Sequence, residues 1–145
     1  MPAPEIVEAL RVRFGAEPAP LGVSLPAASL LAAMRALRDT YGYRSYVTAT
    51  ALERDGRFEV AHAVRDVEMN DTLFVRVRVQ RDGAEIDSLA FVYAGAEWHE
   101  REILDLFGIA FRGHPDPRRI LLPDEYVGHP LRKDFAIETP WGYRP

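Results

Sequence analysis

Apolar residues recur at helical spacing in two early stretches and at alternate positions in the stretches that follow. Ile6, Leu10 and Phe14 set one face of a helix predicted over residues 5–14, with Gly15 as its stop. Pro18 and Pro20 mark a loop, and residues 21–25 are a short strand candidate. Leu30, Leu31, Met34 and Leu37 predict a second helix across 26–41, with Pro26 in its first turn and Gly42 at its exit. From Tyr43 onward the pattern is that of strands. Residues 43–52 and 58–64 read as strands joined by a tight Arg54-Asp55-Gly56 turn. Residues 72–79 alternate, with Leu73, Val75, Val77 and Val79 on one face and Arg76 and Arg78 on the other. Successive turn-linked strands predict a mostly antiparallel sheet with helices packed on one face, an α+β domain.

The pattern changes near Ser88, which is placed to cap a short helix through residue 92. Residues 95–107 read as a longer helix ended by Gly108. Beyond Phe111 periodicity fades and proline and glycine recur. The chain thus divides into a core at 1–111 and a long, extended C-terminal tail at 112–145. Ile120, Leu121, Leu122, Tyr126, Leu131, Phe135 and Trp141 are spread through that tail, which is the composition of a segment laid over a surface rather than of a disordered one.

Composition narrows the function. The 145 residues contain no cysteine, which excludes disulfides, cysteine-ligated clusters, thiolate zinc sites and cysteine nucleophiles. A net charge of −4 gives no global attraction to nucleic acid or anionic lipid, so any basic site is local. No stretch approaches the roughly 20 apolar residues needed to span a bilayer, and the start lacks the pattern of a signal peptide.

Within the predicted helix 95–107, Trp98, Arg101, Glu102 and Asp105 share one stripe, while Ile103, Leu106 and Phe107 point toward the core. A tryptophan among two acids and an arginine predicts a charged cluster covered by the tail or by a neighbouring protein. The competing reading is an exposed Trp98 beside solvated ion pairs. His99 and Glu102, with His114, Asp116 or His129, form a candidate metal set. Against it, both tail histidines precede proline, which biases them toward shaping turns. Ser24, Ser29, Ser45 and Ser88 lie in no nucleophile elbow, and no glycine-rich phosphate loop is present. Arg119, Arg132 and Lys133 alternate with Asp116, Asp124, Glu125 and Asp134, a mixed pattern suited to pairing with carboxylates. The residues by themselves favour an interaction protein over an enzyme.

Three runs carry a more specific signal. Trp98-x-Glu100-Arg101-Glu102 leads into Asp105-Leu106-Phe107-Gly108-Ile109. Then comes Phe111-x-Gly113-His114-Pro115-Asp116-x-Arg118-Arg119-Ile120-Leu121, and finally Gly128-His129-Pro130-Leu131-Arg132-Lys133-Asp134-Phe135. Over residues 97–135 the chain resembles the 30-kDa subunit of respiratory complex I, the C-type subunit of bacterial NADH-quinone oxidoreductase. The resemblance implies a peripheral-arm docking protein with no catalytic residue and no cofactor of its own. The assembled enzyme would use FMN, iron–sulfur clusters, NADH and quinone, and would translocate protons. Implied partners are the 49-kDa (D-type) subunit at the quinone site and the B-type subunit with the terminal iron–sulfur cluster, on the cytoplasmic side of the cell inner membrane. The alternative it leaves open is the equivalent part of a membrane-bound nickel–iron hydrogenase or a ferredoxin- or F420-linked dehydrogenase. The expected docking motif is Trp98, Glu100, Arg101, Glu102, Asp105, His114, Pro115, Arg118, Arg119, His129, Pro130, Arg132, Lys133 and Asp134. The two Gly-His-Pro turns are expected to set the tail's basic residues against carboxylates of the Trp98 helix and of a partner.

Overall fold

A computed structural model describes residues 2–136. The chain runs α1 (Pro4–Phe14), β1 (Glu17–Ala19), β2 (Gly22–Leu25), a 3₁₀ turn (Ala27–Ser29), α2 (Leu30–Asp39), β3 (Ser45–Arg54), β4 (Arg57–Asp66) and β5 (Asp71–Gln80). It continues with β6 (Glu85–Asp87), α3 (Ala96–Phe107) and β7 (Ala110–Arg112). The five-stranded sheet has the order β1-β2-β5-β4-β3, and β6 and β7 form a separate two-stranded sheet. Within the larger sheet the pairings are antiparallel except β2 with β5, which is parallel. The α+β class and mostly antiparallel sheet match the sequence reading.

Period-two alternation decides which face is buried. Leu73, Val75 and Val77 of β5 are fully buried and Val79 nearly so, and Phe58, Val60 and Val64 of β4 lie beside them. Leu10 from α1 and Leu30, Met34 and Leu37 from α2 join the same core. Each such side chain, fully buried, is worth about 1.5–3 kcal/mol. The β3–β4 hairpin turns on Asp55 and Gly56, both at positive φ, the two-residue geometry that matches strand twist. In the loop from β4 to β5, the Asp66 carboxylate accepts from the backbone N–H groups of Glu68 and Met69.

Three local expectations need correction. β1 was expected as loop, because proline removes a ladder donor; it survives as a short edge strand. β6 and β7 went unpredicted, since three residues are too few to show a period. The helix expected at 88–92 is a succession of turns. There the Ser88 hydroxyl accepts from the Ala90 N–H but also donates to Glu100 Oε2 at 2.6 Å, so it serves a tertiary contact rather than a helix cap. The tail carries no helix or strand over 113–136, only bends, turns and irregular backbone. Trp141, expected among the apolar contacts of the tail, lies outside the described residues.

His62, on the core side of β4, is fully buried. Its Nδ1 lies 2.9 Å from the Tyr46 hydroxyl and its Nε2 has no hydrogen-bond partner. Burial lowers its pKa to about 4. An unfolded histidine binds its proton near pH 6.5, so between about 6.5 and 4 the unfolded chain holds one proton more. Stability therefore falls as pH drops through that window, by roughly 3 kcal/mol in full. Denaturation midpoints measured from pH 7 to pH 4 should show this slope, and His62→Leu should flatten it. An unchanged slope in the variant would assign it elsewhere.

Candidate functional site

α3 begins after Gly95 and ends at Gly108, whose φ of 72° is the left-handed cap geometry. At 100° per residue, Glu100, Ile103 and Phe107 share one stripe and Arg101 and Asp105 share its neighbour, and all five are buried. Ile103 and Phe107 join the core, with Phe107 edge-on to Phe58 at 6.0 Å. The tail crosses the adjoining stripe and is locked there by side chains from both sides.

Asp105 holds the crossing. Its Oδ1 accepts from Arg119 Nη1 at 2.7 Å, and its Oδ2 accepts from three consecutive backbone N–H groups, Ile120, Leu121 and Leu122, at 3.2, 2.8 and 2.9 Å. Burial pushes this carboxyl up, but Arg119 and the three N–H donors outweigh it and hold the pKa below the ordinary value. Arg119 also donates to the carbonyls of Asp105, Tyr126 and Gly128, and sits over the Tyr126 ring. Arg101 reaches the tail from one turn earlier, donating to the carbonyls of Arg118 and Arg119 at 3.0 Å each and lying 3.7 Å from Asp116.

The repeated Gly-His-Pro acts at both ends of this helix. His114 Nε2 lies 3.0 Å from the Glu97 carbonyl, and its Nδ1 accepts from the Asp116 N–H at 2.9 Å. A carbonyl only accepts, so the proton is on Nε2. His129 Nδ1 lies 2.9 Å from the Asp105 carbonyl and by the same argument donates to it. Each histidine thus pins the tail to one end of α3. Arg132 completes the second anchor, donating to the carbonyls of Phe107 and Gly108 and stacking over Phe58, while the Leu131 N–H donates to the Leu106 carbonyl. These are carbonyls a helix end otherwise leaves unpaired.

The predicted residues separate into those brought together and those not. Arg101, Asp105, His114, Arg119, His129 and Arg132 converge on the lock. Of the basic residues expected to meet carboxylates, only Arg119 meets one on α3. Arg118 pairs with Asp116 in the tail, and Arg132 binds carbonyls. Lys133 engages through its backbone N–H, which donates to Glu53 of β3 at 2.7 Å. Glu53 also pairs with Arg81, which in turn pairs with Asp134. Trp98 and Glu102 lie on the outward side of the helix, and Glu102 has no ion pair among the described residues, so the covered cluster is smaller than expected. Glu102 stands to the side of the Arg101–Asp105 stripe, whereas Trp98 shares that stripe and stays outward because the tail's hydrogen bonds fall on Arg101 and Asp105, farther along the helix.

Glu100 was named but its burial was not foreseen. It accepts from the Ser88 hydroxyl and the Leu89 N–H, both at 2.6 Å, and burial raises its pKa. The signal was present, since Glu100 shares a stripe with Ile103 and Phe107. As for a metal, the described residues hold no group of three or more candidate ligands. His99 Nδ1 lies 3.4 Å from the Thr48 hydroxyl, away from the tail histidines' carbonyl partners.

With this geometry in place, the comparisons are specific. The family described as the 30 Kd subunit of the respiratory-chain NADH dehydrogenase matches residues 23–140. The C-type subunit of NADH-quinone oxidoreductase from Moorella thermoacetica is 40% identical over 135 residues, covering 92% of this chain and 90% of the relative. The protein of the same description from Geobacter metallireducens is 38% identical, covering 72% and 67%. Among solved structures, a trypsin-resistant fragment of Nqo5 aligns with a TM-score of 0.66 at 27% identity, over 77% of this chain and 96% of the fragment. A chain in the membrane-bound sulfane sulfur reductase, an archaeal respiratory membrane complex, aligns with a TM-score of 0.79 at 24% identity, over 92% and 85%. At that identity it shows a shared fold alone.

Proposed function

Because the chain belongs to the 30 Kd subunit family of the respiratory-chain NADH dehydrogenase, we propose that it is the C-type docking subunit of a proton-translocating NADH:quinone oxidoreductase. It holds no cofactor and no catalytic residue. FMN and the iron–sulfur clusters belong to other parts of the assembly, a reading supported by the absence of cysteine from the sequence. Its partners are the 49-kDa (D-type) quinone-site subunit and the B-type subunit of the terminal cluster. It sits at the cytoplasmic side of the inner membrane and is held there by the complex. That fits the described residues, no helix of which is long and apolar enough to cross a membrane.

The observation that carries this reading is what the lock leaves outside. The tail uses its charges to fasten itself to α3, while Trp98 (58% exposed), Leu121 (62%), Val127 (65%) and Leu131 (52%) remain outward. Large apolar groups presented by a fixed scaffold are the anchors of a protein interface. The 1–111 core is the scaffold and the segment from 112 is the docking element, with the motif residues from Trp98 to Asp134 divided between building the lock and facing the partner.

Affinity purification of the tagged chain from gently solubilised native membranes tests this. Recovery with quinone-site, iron–sulfur and NADH-binding flavoprotein subunits is the expected result. Recovery with hydrogenase or ferredoxin-linked subunits would move the docking role to a related complex, and recovery alone would reject it. In the same assay Trp98→Ala should weaken partner retention by about 2 kcal/mol, near thirtyfold. The thermal midpoint of the isolated chain should fall only slightly, since Trp98 is 58% exposed and its cation–π contact with the Arg101 guanidinium, 5.0 Å from the ring centre, is worth about 0.5–1 kcal/mol. A strongly lowered midpoint with normal retention would make Trp98 structural.

A further inference from the structure

The strand register places a second surface on the side of the sheet away from α1 and α2. Going outward from the β3–β4 turn, Arg54 stands beside Arg57, Glu59 beside Arg78, and Ala61 beside Arg76. Arg65 closes the row at the far end. This face holds five of the eighteen basic side chains, all on β3, β4 and β5, against Glu59 among them and Glu17 on the far strand β1, in a chain whose net charge is −4. Arg54, Arg57, Arg65 and Arg78 are exposed, and no ion pair involves Arg54, Arg57 or Arg78 among the described residues. Arg76 is partly covered, lies over the Phe74 ring and reaches Glu59 only at 3.9 Å; its Nη1 has no hydrogen-bond partner. Near the turn, Arg54, Arg57 and Arg78 line a cavity of about 290 Å³ with Glu59 and Asp55.

Two arginines directly across a strand pair repel one another, so Arg54 and Arg57 gain nothing for the sheet from their placement. Between the arginines stand the small residues Thr50, Ala61 and Ala63, with Phe74 beside Ala63. We infer that this sheet face is a docking surface for an acidic segment of a partner protein, whose carboxylates are gripped by the Arg54, Arg57 and Arg78 forks. Guanidinium geometry suits bidentate carboxylate pairing. Nucleic acid fits less well: Phe74 is occupied by Arg76, leaving no free aromatic platform, and the chain as a whole repels polyphosphate. The surface is separate from the α3–tail lock, and it rests on the docking reading above only in requiring a protein partner.

The test uses the tagged full chain in its native membranes, with photoreactive benzoylphenylalanine replacing Arg78. After irradiation, the expected adduct is a protein segment in which Asp and Glu outnumber Lys and Arg. Its yield should fall at least tenfold when Arg54→Glu and Arg57→Glu are added. An adduct to lipid, to nucleic acid or to a segment without acidic excess overturns the inference, as does no adduct or a yield unmoved by the reversals. Arg54→Gln with Arg57→Gln, checked by thermal midpoint, replaces the reversals if those unfold the chain. Neutralisation removes the attraction without adding repulsion, so a threefold or greater loss is then required. Oxidoreductase subunits in the same eluate report on the docking reading independently, so either can fail alone.

Discussion

Asp105→Ala should destabilise the protein by roughly 3–5 kcal/mol and release the tail from α3. The basis is the cost of removing one partner of a buried pair. Asp105 is fully buried, and its removal leaves the Arg119 guanidinium without its carboxylate and the N–H groups of Ile120, Leu121 and Leu122 without the oxygen they share. Two measurements read the result. Denaturant unfolding should give the loss of stability, and trypsin should cut after Arg118, Arg119 and Arg132 at concentrations that spare the parent. Glu102→Ala, three residues away on the exposed side, should stay within about 0.5 kcal/mol. Equal effects from the two would mean that Asp105 does not hold the tail. The pH dependence has a definite sign as well. The folded pKa of Asp105 is depressed, so its contribution is complete above the unfolded value near 3.9 and is lost as pH falls through the folded one. Acid should therefore act in two stages, His62 first and Asp105 below it.

Gly108→Ala is expected to cost about 2–5 kcal/mol for two separable reasons. A φ of 72° disfavours any side chain by about 1–2 kcal/mol. A Cβ there would also come within 2.5 Å of the His129 ring and 2.8 Å of Arg132, where overpacking adds about 1–3 kcal/mol. The second part depends on His129 and the first does not. In the His129→Ala background, Gly108→Ala should consequently lose part of its effect, giving a coupling of at least about 0.5 kcal/mol. Strict additivity would show that the His129 ring plays no part in making this position glycine.

Much of the scaffold was legible because it follows from short-range rules. The α1 stop at Gly15, the Asp55-Gly56 hairpin, the buried face of β5 and the limits of α3 rest on backbone permissiveness and on periods of 2 or 3.6, which neighbours in sequence already display. The motif from Trp98 to Phe135 identified the family for a different reason: its residue types and spacing are unusual enough to be distinctive without any geometry. β1, β6 and β7 escaped because three-residue strands are made by their pairing partners, not by their own pattern.

The site divides along the same line. Sequence alone determined that Arg101, Asp105, Arg119, His129 and Arg132 belong to one charged, proline-punctuated system, and that its two Gly-His-Pro copies turn the chain. Which acceptor each donor meets was left to the tertiary structure. An arginine bonds a carbonyl as readily as a carboxylate, so Arg132 at the Phe107 carbonyl and Arg119 at the Asp105 carboxylate look alike in sequence. Nor could spacing decide that Trp98 faces outward while Asp105 is buried. That follows from where the tail crosses α3, and the crossing is fixed at both ends by histidines whose partners lie 17 and 24 residues away along the chain.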